Sequence, residues 1–301
     1  MKNIPKSVKA RLRNLSKVTG RSAQEIDQHY VMERFLFRLS QSEYTDQFIL
    51  KGGFLQFVWF GNNARTTKDI DVIGLHALSP DKLKDVLFNI FDADVEEDGV
   101  IFDRESISIS PIREELHYGG WRAEFICRIE NSRYKLIFDV GFGDRLFPEP
   151  SEIQIKTLLE DFPAPAMKCY KKETVIAEKF HAMCIRGIEN SRMKDFLDIW
   201  NLLNQDTFSA ITVSEAIRTT FEGRDTKIPE PYITAFYGKF VETWSGQWKR
   251  YIKKIRSNAP YLSELLPLLE SFFVPVVLYL RGEGDNPGLW SPEGYWLEID
   301  Q

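Results

Sequence analysis

Cysteine is scarce in this chain. Cys127, Cys169 and Cys184 are the only three, widely spaced, and no two form a C-x-x-C pair. An odd, scattered set excludes a disulfide scaffold, offers no zinc site and fits a reducing compartment. Long apolar runs are missing too. No stretch reaches the roughly 18 apolar residues of a membrane span, and the nearest candidate, Phe272 to Leu280, is short and contains Pro275. The basic N-terminus is not followed by an apolar segment, so no signal peptide is expected. Together these absences lead to the expectation of a cytoplasmic protein with no membrane partner. Internal repeats and low-complexity tracts are absent as well.

What is present is ordinary in amount and uneven in placement. The 301 residues are enough for two domains, and 43% hydrophobic with 28% charged residues is the balance of a globular protein. The net charge of −5 argues against a chain that coats nucleic acid non-specifically. Residues 1–24 nevertheless carry Lys2, Lys6, Lys9, Arg11, Arg13, Lys17 and Arg21 and no acidic residue, while Asp92 to Asp98 is acidic. A second basic cluster, Lys249, Arg250, Lys253, Lys254 and Arg256, follows Trp244 and Trp248. Either stripe is a local phosphate-backbone contact or a solvated helix face.

The hydrophobic period sets the expected organisation. Ile26, Tyr30, Phe35, Leu36 and Leu39 recur at helical spacing behind Ser22, a plausible N-cap, after a first helical segment. Phe48-Ile49-Leu50 reads as a strand, Gly52-Gly53 as a turn, and the apolar segment to Phe60 as a short helix. Asp69 to Ile73 reads as the next strand and residues 79–91 as a helix with Pro80 in its first turn. From Val100 to Val140 the period changes to two, predicting antiparallel strands with a hairpin turn at Asn131-Ser132. Pro148, Pro150, Pro163 and Pro165 mark a loop-rich junction. The chain is helical from Lys172, with an irregular tail over Gly282 to Gly294 that Trp290 and Trp296 help to pack. The fold class is therefore α+β: an α/β domain with N-terminal helices over residues 1–165, its mixed sheet flanked by helices, then a mainly helical domain over 166–301.

Three features bear chemistry. Lys51-Gly52-Gly53 stands at a strand-to-helix turn, where two glycines allow close backbone approach and positive φ. Such a turn can present N–H groups to a phosphate, or it is simply a turn. In the segment from Arg65 to Asp71, Asp69 and Asp71 are i and i+2 on a strand and share a face, with Ile70 and Val72 on the other. Two such carboxylates repel unless a cation lies between them, and oxygen ligands in small number suit Mg²⁺; the alternative is a strand end entering solvent. Asp139 lies within the apolar run Leu136-Ile137-Phe138-Asp139-Val140. An ionised group there needs a partner or a metal, unless it caps the turn at Gly141. Taken together, the three reproduce a two-metal nucleotidyl-transfer site. Asp69 and Asp71 would bridge the ions, and Asp139 would ligate one while favouring deprotonation of the attacking hydroxyl. The Gly52-Gly53 turn would hold the β- and γ-phosphates. A later helix adds Lys179 and Arg186 on one face, and Asp195 and Asp198 share a face on the next; these could serve a triphosphate or form an inter-helix salt-bridge network. His181, a lone histidine, receives no role.

The string KGGFLQFVWFGNNARTTKDIDV resembles the DNA polymerase β-type nucleotidyltransferase signature, and more specifically that of the AbiEii/AbiGii toxin family. That family shows Lys-Gly-Gly, then Arg-x-Ser/Thr-x-Asp-hydrophobic-Asp. A second block, EKFHAMCIRGIENSRMKDFLDIW, is similar to its helical Glu-Lys, Arg and Lys-Asp-x-x-Asp motif. The resemblance spans about Ile49 to Leu203. It departs at Phe54, where polymerase β-type sites carry a serine, leaving the phosphate cradle to backbone groups and to lysine or arginine.

The resemblance implies a polymerase β-type nucleotidyltransferase domain followed by a helical domain. It implies catalytic Asp69, Asp71, Asp139, Lys179 and Asp195, the three aspartates 69, 71 and 139 holding Mg²⁺ or Mn²⁺. Lys51, Gly52, Gly53, Arg65, Thr67, Lys179, Arg186 and Asp198 would meet the NTP substrate. The implied function is a toxin of a toxin–antitoxin or phage abortive-infection system, paired with a cognate antitoxin protein. The related MenT toxins add nucleotides to the 3′ end of tRNA, so tRNA or another RNA is the expected acceptor. The alternatives are nucleotidylation of a protein or small molecule, and an inactive nucleotide-binding scaffold; the intact set of three aspartates argues against the scaffold.

Overall fold

The computed structural model describes residues 3–112 and 119–298; Lys2 and the link 113–118 lie outside the described residues. The chain forms two compact units, Met1–Asp144 with Pro150–Tyr170, and Arg145–Glu149 with Lys171–Gln301.

The first unit opens with helices α1 (Ile4–Thr19) and α2 (Ala23–Gln41). Ser22 caps α2 reciprocally: its hydroxyl accepts the Glu25 N–H while the Glu25 carboxylate accepts the Ser22 N–H. Then follow β1 (Phe48–Lys51), α3 (Phe54–Phe60), β2 (Asp69–Gly74), α4 (Pro80–Phe91), β3 (Val100–Pro111), β4 (Gly120–Ile129), β5 (Ser132–Phe142), β6 (Ser151–Gln154) and β7 (Ala166–Cys169). The strands form one mixed sheet in the order β3-β4-β5-β2-β1-β7-β6. The pairs β2·β5 and β1·β7 are parallel and the other neighbours antiparallel. With its flanking helices this is the α+β architecture the sequence predicts.

Alternation decides which face is core. In β5, Tyr134, Leu136, Phe138 and Val140 are buried, and in β2 so are Ile70 and Val72. Phe35 of α2 packs against Phe91, Phe102, Phe125 and Phe138; burying one such ring contributes roughly 1.5–3 kcal/mol. The proline-rich junction differs from the loop expected of it, because β6 and β7 pair within it and extend the sheet. The prolines border these strands rather than enter them, as a residue without an N–H must at a ladder.

The second unit contains α5 (Lys172–Arg186), α6 (Met193–Leu203), β8 (Phe208–Ser209), α7 (Ala210–Gly223), α8 (Gly238–Ile255), α9 (Leu262–Arg281), β9 (Leu289–Ser291) and β10 (Tyr295–Leu297). The tail is more regular than expected: β8, β9 and β10 form a small sheet. It is fixed by the fully buried Trp290, which meets Phe272 and Trp296 edge-on. Helix α9 also corrects the apolar-run reading. Pro267 and Pro275 lie inside it, and by length and composition it is the one helix among the described residues long and apolar enough to cross a membrane. Its Leu265, Leu269, Phe272, Phe273 and Val276 are buried within the protein.

Candidate active site

The parallel pairing of β2 with β5 sets Asp71 beside Asp139. Asp69, one pleat away on the same face as Asp71, completes a cluster whose carboxylate oxygens lie within 4.8 Å of one another. Asp139 is buried, the other two half-buried. Three carboxylates at this separation could hold a divalent cation, and the donor set is all oxygen, as a hard cation requires.

The register extends the row outward. Lys51 of β1 stands opposite Asp71, and Arg122 of β4 opposite Asp139. Four adjacent strands therefore carry Arg122, Asp139, Asp71 and Lys51 in line, cations flanking carboxylates. Arg122 donates to both oxygens of Asp139, from Nε at 2.8 Å and Nη2 at 2.7 Å. These bonds, and the nearby charges of Asp139 and Asp69, raise the Arg122 pKa further. Lys51 donates to Asp144 at 2.8 Å and lies over the Tyr170 ring.

The turn between β1 and α3 packs against the carboxylates. Gly52 adopts φ +71°, and a Cβ there would collide with the Asp71 side chain, its Cγ only 2.6 Å away. The Gly53 N–H points at Asp71 Oδ2, 3.4 Å distant. A Cβ on Gly53 would meet Thr67 Oγ1 at 2.7 Å and Arg65 Nη1 at 3.3 Å. Thr67 in turn donates its hydroxyl to Asp69 Oδ1. The turn residues Gly52 and Gly53 thus converge with Arg65, Thr67, Asp69 and Asp71.

The helical residues form a cluster of their own in the second unit. Lys179 of α5 donates to Asp195 at 2.7 Å and to Asp198 at 2.8 Å, both buried on α6. Arg192 Nε donates to the other Asp195 oxygen at 2.6 Å. Burial pushes the Asp195 carboxyl up, but Lys179 and Arg192 outweigh it and hold it at about 2. Arg186 is the last residue of α5. His181 is buried against Thr226, Arg224 and Phe221, a packing position.

Arg122 and Asp144 were missed from sequence. The signal for Arg122 was the β4–β5 hairpin: seven residues out from Ile129 and Ser132 lie Arg122 and Asp139. No local pattern marks Asp144, which is reached only through the Lys51 side chain.

A mixed sheet with carboxylates on neighbouring strands beside a Gly-Gly turn is the frame of a nucleotidyltransferase. Residues 34–272 match the family described as nucleotidyl transferase AbiEii toxin, type IV TA system, and the chain belongs to that family. Among solved structures it is similar to MenT4, a nucleotidyltransferase toxin of Mycobacterium tuberculosis H37Rv. The two share 12% identity over 91% of this chain and 99% of that one, with a TM-score of 0.51. JHP933 of Helicobacter pylori also matches, at 15% identity over 87% of this chain and 94% of that one, with a TM-score of 0.49. No curated protein sequence matches.

Proposed function

We propose that this toxin transfers a nucleoside monophosphate from an NTP to the 3′ end of tRNA, with Mg²⁺ or Mn²⁺ held by Asp69, Asp71 and Asp139. The observation that carries the reading is the convergence of those three carboxylates within 4.8 Å beside the Gly52-Gly53 turn. Bound there, the cations would polarise the α-phosphate and screen the charge that develops on the attacking and leaving oxygens. The acceptor hydroxyl forms the new bond to the α-phosphorus, the bond to the β-phosphate oxygen breaks, and pyrophosphate leaves. Asp139, the most enclosed of the three, favours loss of the acceptor's proton. Arg122 is a positioning residue that fixes both Asp139 oxygens. Thr67 orients Asp69, and the turn N–H groups with Lys51 and Arg65 take the phosphates, in place of the serine hydroxyl that Phe54 lacks. Lys179, Arg186, Asp195 and Asp198 enter this proposal on the family resemblance alone. A cognate antitoxin partner and a cytoplasmic location complete the reading.

The test is label transfer from each of the four α-labelled NTPs, with Mg²⁺, onto total tRNA and onto cell protein. The expected result is label on tRNA from one preferred nucleotide, falling more than about 100-fold in Asp69→Ala and in Asp71→Ala. Label on protein alone would replace the acceptor. No transfer to any acceptor, with nucleotide binding intact, would overturn the enzyme in favour of a scaffold.

A further inference from the structure

A cleft of about 410 Å³ opens within the second unit, lined by the segment Ser191 to Lys194 on one side and by Gln247, Arg250, Tyr251 and Lys254 on the other. The α8 residues are spaced i, i+3, i+4 and i+7, so one helix face supplies that wall. The helix is held along the adjoining face, where Trp248 is buried and donates to the Pro260 carbonyl, and Trp244 donates to that of Ile188. Gln247 ties the walls together by donating to the Ser191 carbonyl at 2.9 Å.

The charges in this cleft are one-sided. Arg192, Lys194, Arg250 and Lys254 are exposed on its walls, and among the described residues no carboxylate lines it. Arg192 is held by Asp195, itself buried and already shared with Lys179. Lys194, Arg250 and Lys254 have no ion pair among the described residues. Two of the cations also stand at the wrong end of a helix. Arg192 is the N-cap of α6 and gives its first turn no side-chain acceptor, and Lys194 follows inside that turn. The positive end of the helix dipole repels cations and attracts anions; Asp195, in that same first turn, answers Arg192, while Lys194 adds a further positive charge there. The N-terminal stripe differs: Lys9 pairs with Asp27, Arg11 with Asp161, and Arg21 donates to the carbonyls of Asn62 and Ala64.

We infer that this cleft binds the sugar-phosphate backbone of the acceptor RNA, an assignment that rests on the RNA-acceptor reading above. Four cations along two walls match a row of phosphates better than a single anion. Gln247, half-buried between them, carries an amide of the kind that meets 2′-hydroxyls. Lys249 and Lys253, exposed further round α8, add to the positive field that draws RNA in.

The test measures binding of fluorescein-labelled unfractionated tRNA by anisotropy across a salt series, for wild type, Arg250→Gln/Lys254→Gln and Lys194→Gln. Thermal melts and binding of a fluorescent ATP analogue run beside it. The expected result is about tenfold weaker tRNA binding for the double variant at low salt. The slope of log K against log salt should flatten by about 0.7–0.9 for each cation removed, with melting and nucleotide binding unchanged. Wild-type binding in both variants would overturn the assignment. So would loss of poly-L-glutamate binding with tRNA binding intact, which would make the cleft a site for an acidic protein. If wild type itself binds no tRNA yet labels another acceptor, the cleft assignment falls while the transfer reaction stands.

Discussion

At the scale of single residues, the site is governed by what balances three carboxylates. Arg122 engages both oxygens of Asp139, so it supplies the counter-charge that a cation would otherwise provide and competes with that cation for the same atoms. Arg122→Ala should therefore melt at a lower temperature than wild type in EDTA, yet gain more on addition of Mn²⁺. Its Mn²⁺ affinity, read by calorimetry, should be several-fold tighter. An equal Mn²⁺ response in both proteins would remove the competition argument. Gly52 makes the complementary case. Its φ of +71° and the space taken by the Asp71 side chain both exclude a Cβ. Gly52→Ala should lose roughly 1–3 kcal/mol by urea denaturation, and because Asp71 must move, nucleotidyl transfer should fall with it. Wild-type stability and transfer together would show that the turn has slack.

At the scale of elements, helix α2 buries two titratable groups that pull in opposite directions. His29 packs on Phe54 and Phe57 of α3. Burial, with Arg21 nearby, holds its pKa down at about 3 against an ordinary 6.5. Its contribution to stability is present above pH 6.5 and is lost as pH falls through 3, because only the unfolded chain takes up the proton. Burial raises Glu33 from 4.5 to about 7, against the opposing pull of Arg34 and the Leu158 N–H. That contribution is present below pH 4.5 and is lost as pH rises through 7. Between about pH 4.5 and 6.5 the two slopes oppose each other. His29→Phe should expose the Glu33 slope, so that its melting temperature declines relative to wild type as pH rises across this window. Parallel melting curves for the two proteins would contradict these assignments.

Elements also show what the sequence can and cannot reveal. The Ser22 cap, the strand–glycine–helix passage through Lys51-Gly52-Gly53, and the shared face of Asp69 and Asp71 are all local. Each follows from spacing within one or two turns or pleats. That Asp139 stands beside Asp71 is a parallel register, and nothing in either strand's own pattern encodes it. The hairpin was legible but easily misread. A turn at Asn131-Ser132 rather than one residue earlier moves every pairing by two and sets Glu124, not Arg122, against Asp139. The strands β6 and β7 were hidden by the four prolines around them, and β9 and β10 are too short for an alternation to register. The apolar run of α9 was counted only from Phe272 to Leu280, with Pro275 held against it, whereas the helix begins at Leu262 and continues through that proline.

At the scale of the whole molecule, the sheet order has a consequence for when the chain can act. Strands β2 and β5 touch in the sheet, but a parallel pair must be joined by a crossover, and this one contains α4, β3 and β4. Bringing the two strands together means closing a long loop, and such non-local pairings form late because the chain entropy is lost before the contact is gained. Asp69 and Asp71 leave the ribosome well before Asp139 and remain an isolated pair until Phe142 has been made and β5 has docked. A nascent or prematurely terminated product that stops short of β5 would carry the Asp-x-Asp motif in full and still lack the acidic cluster, so the poison is assembled only after most of its first unit has been synthesised.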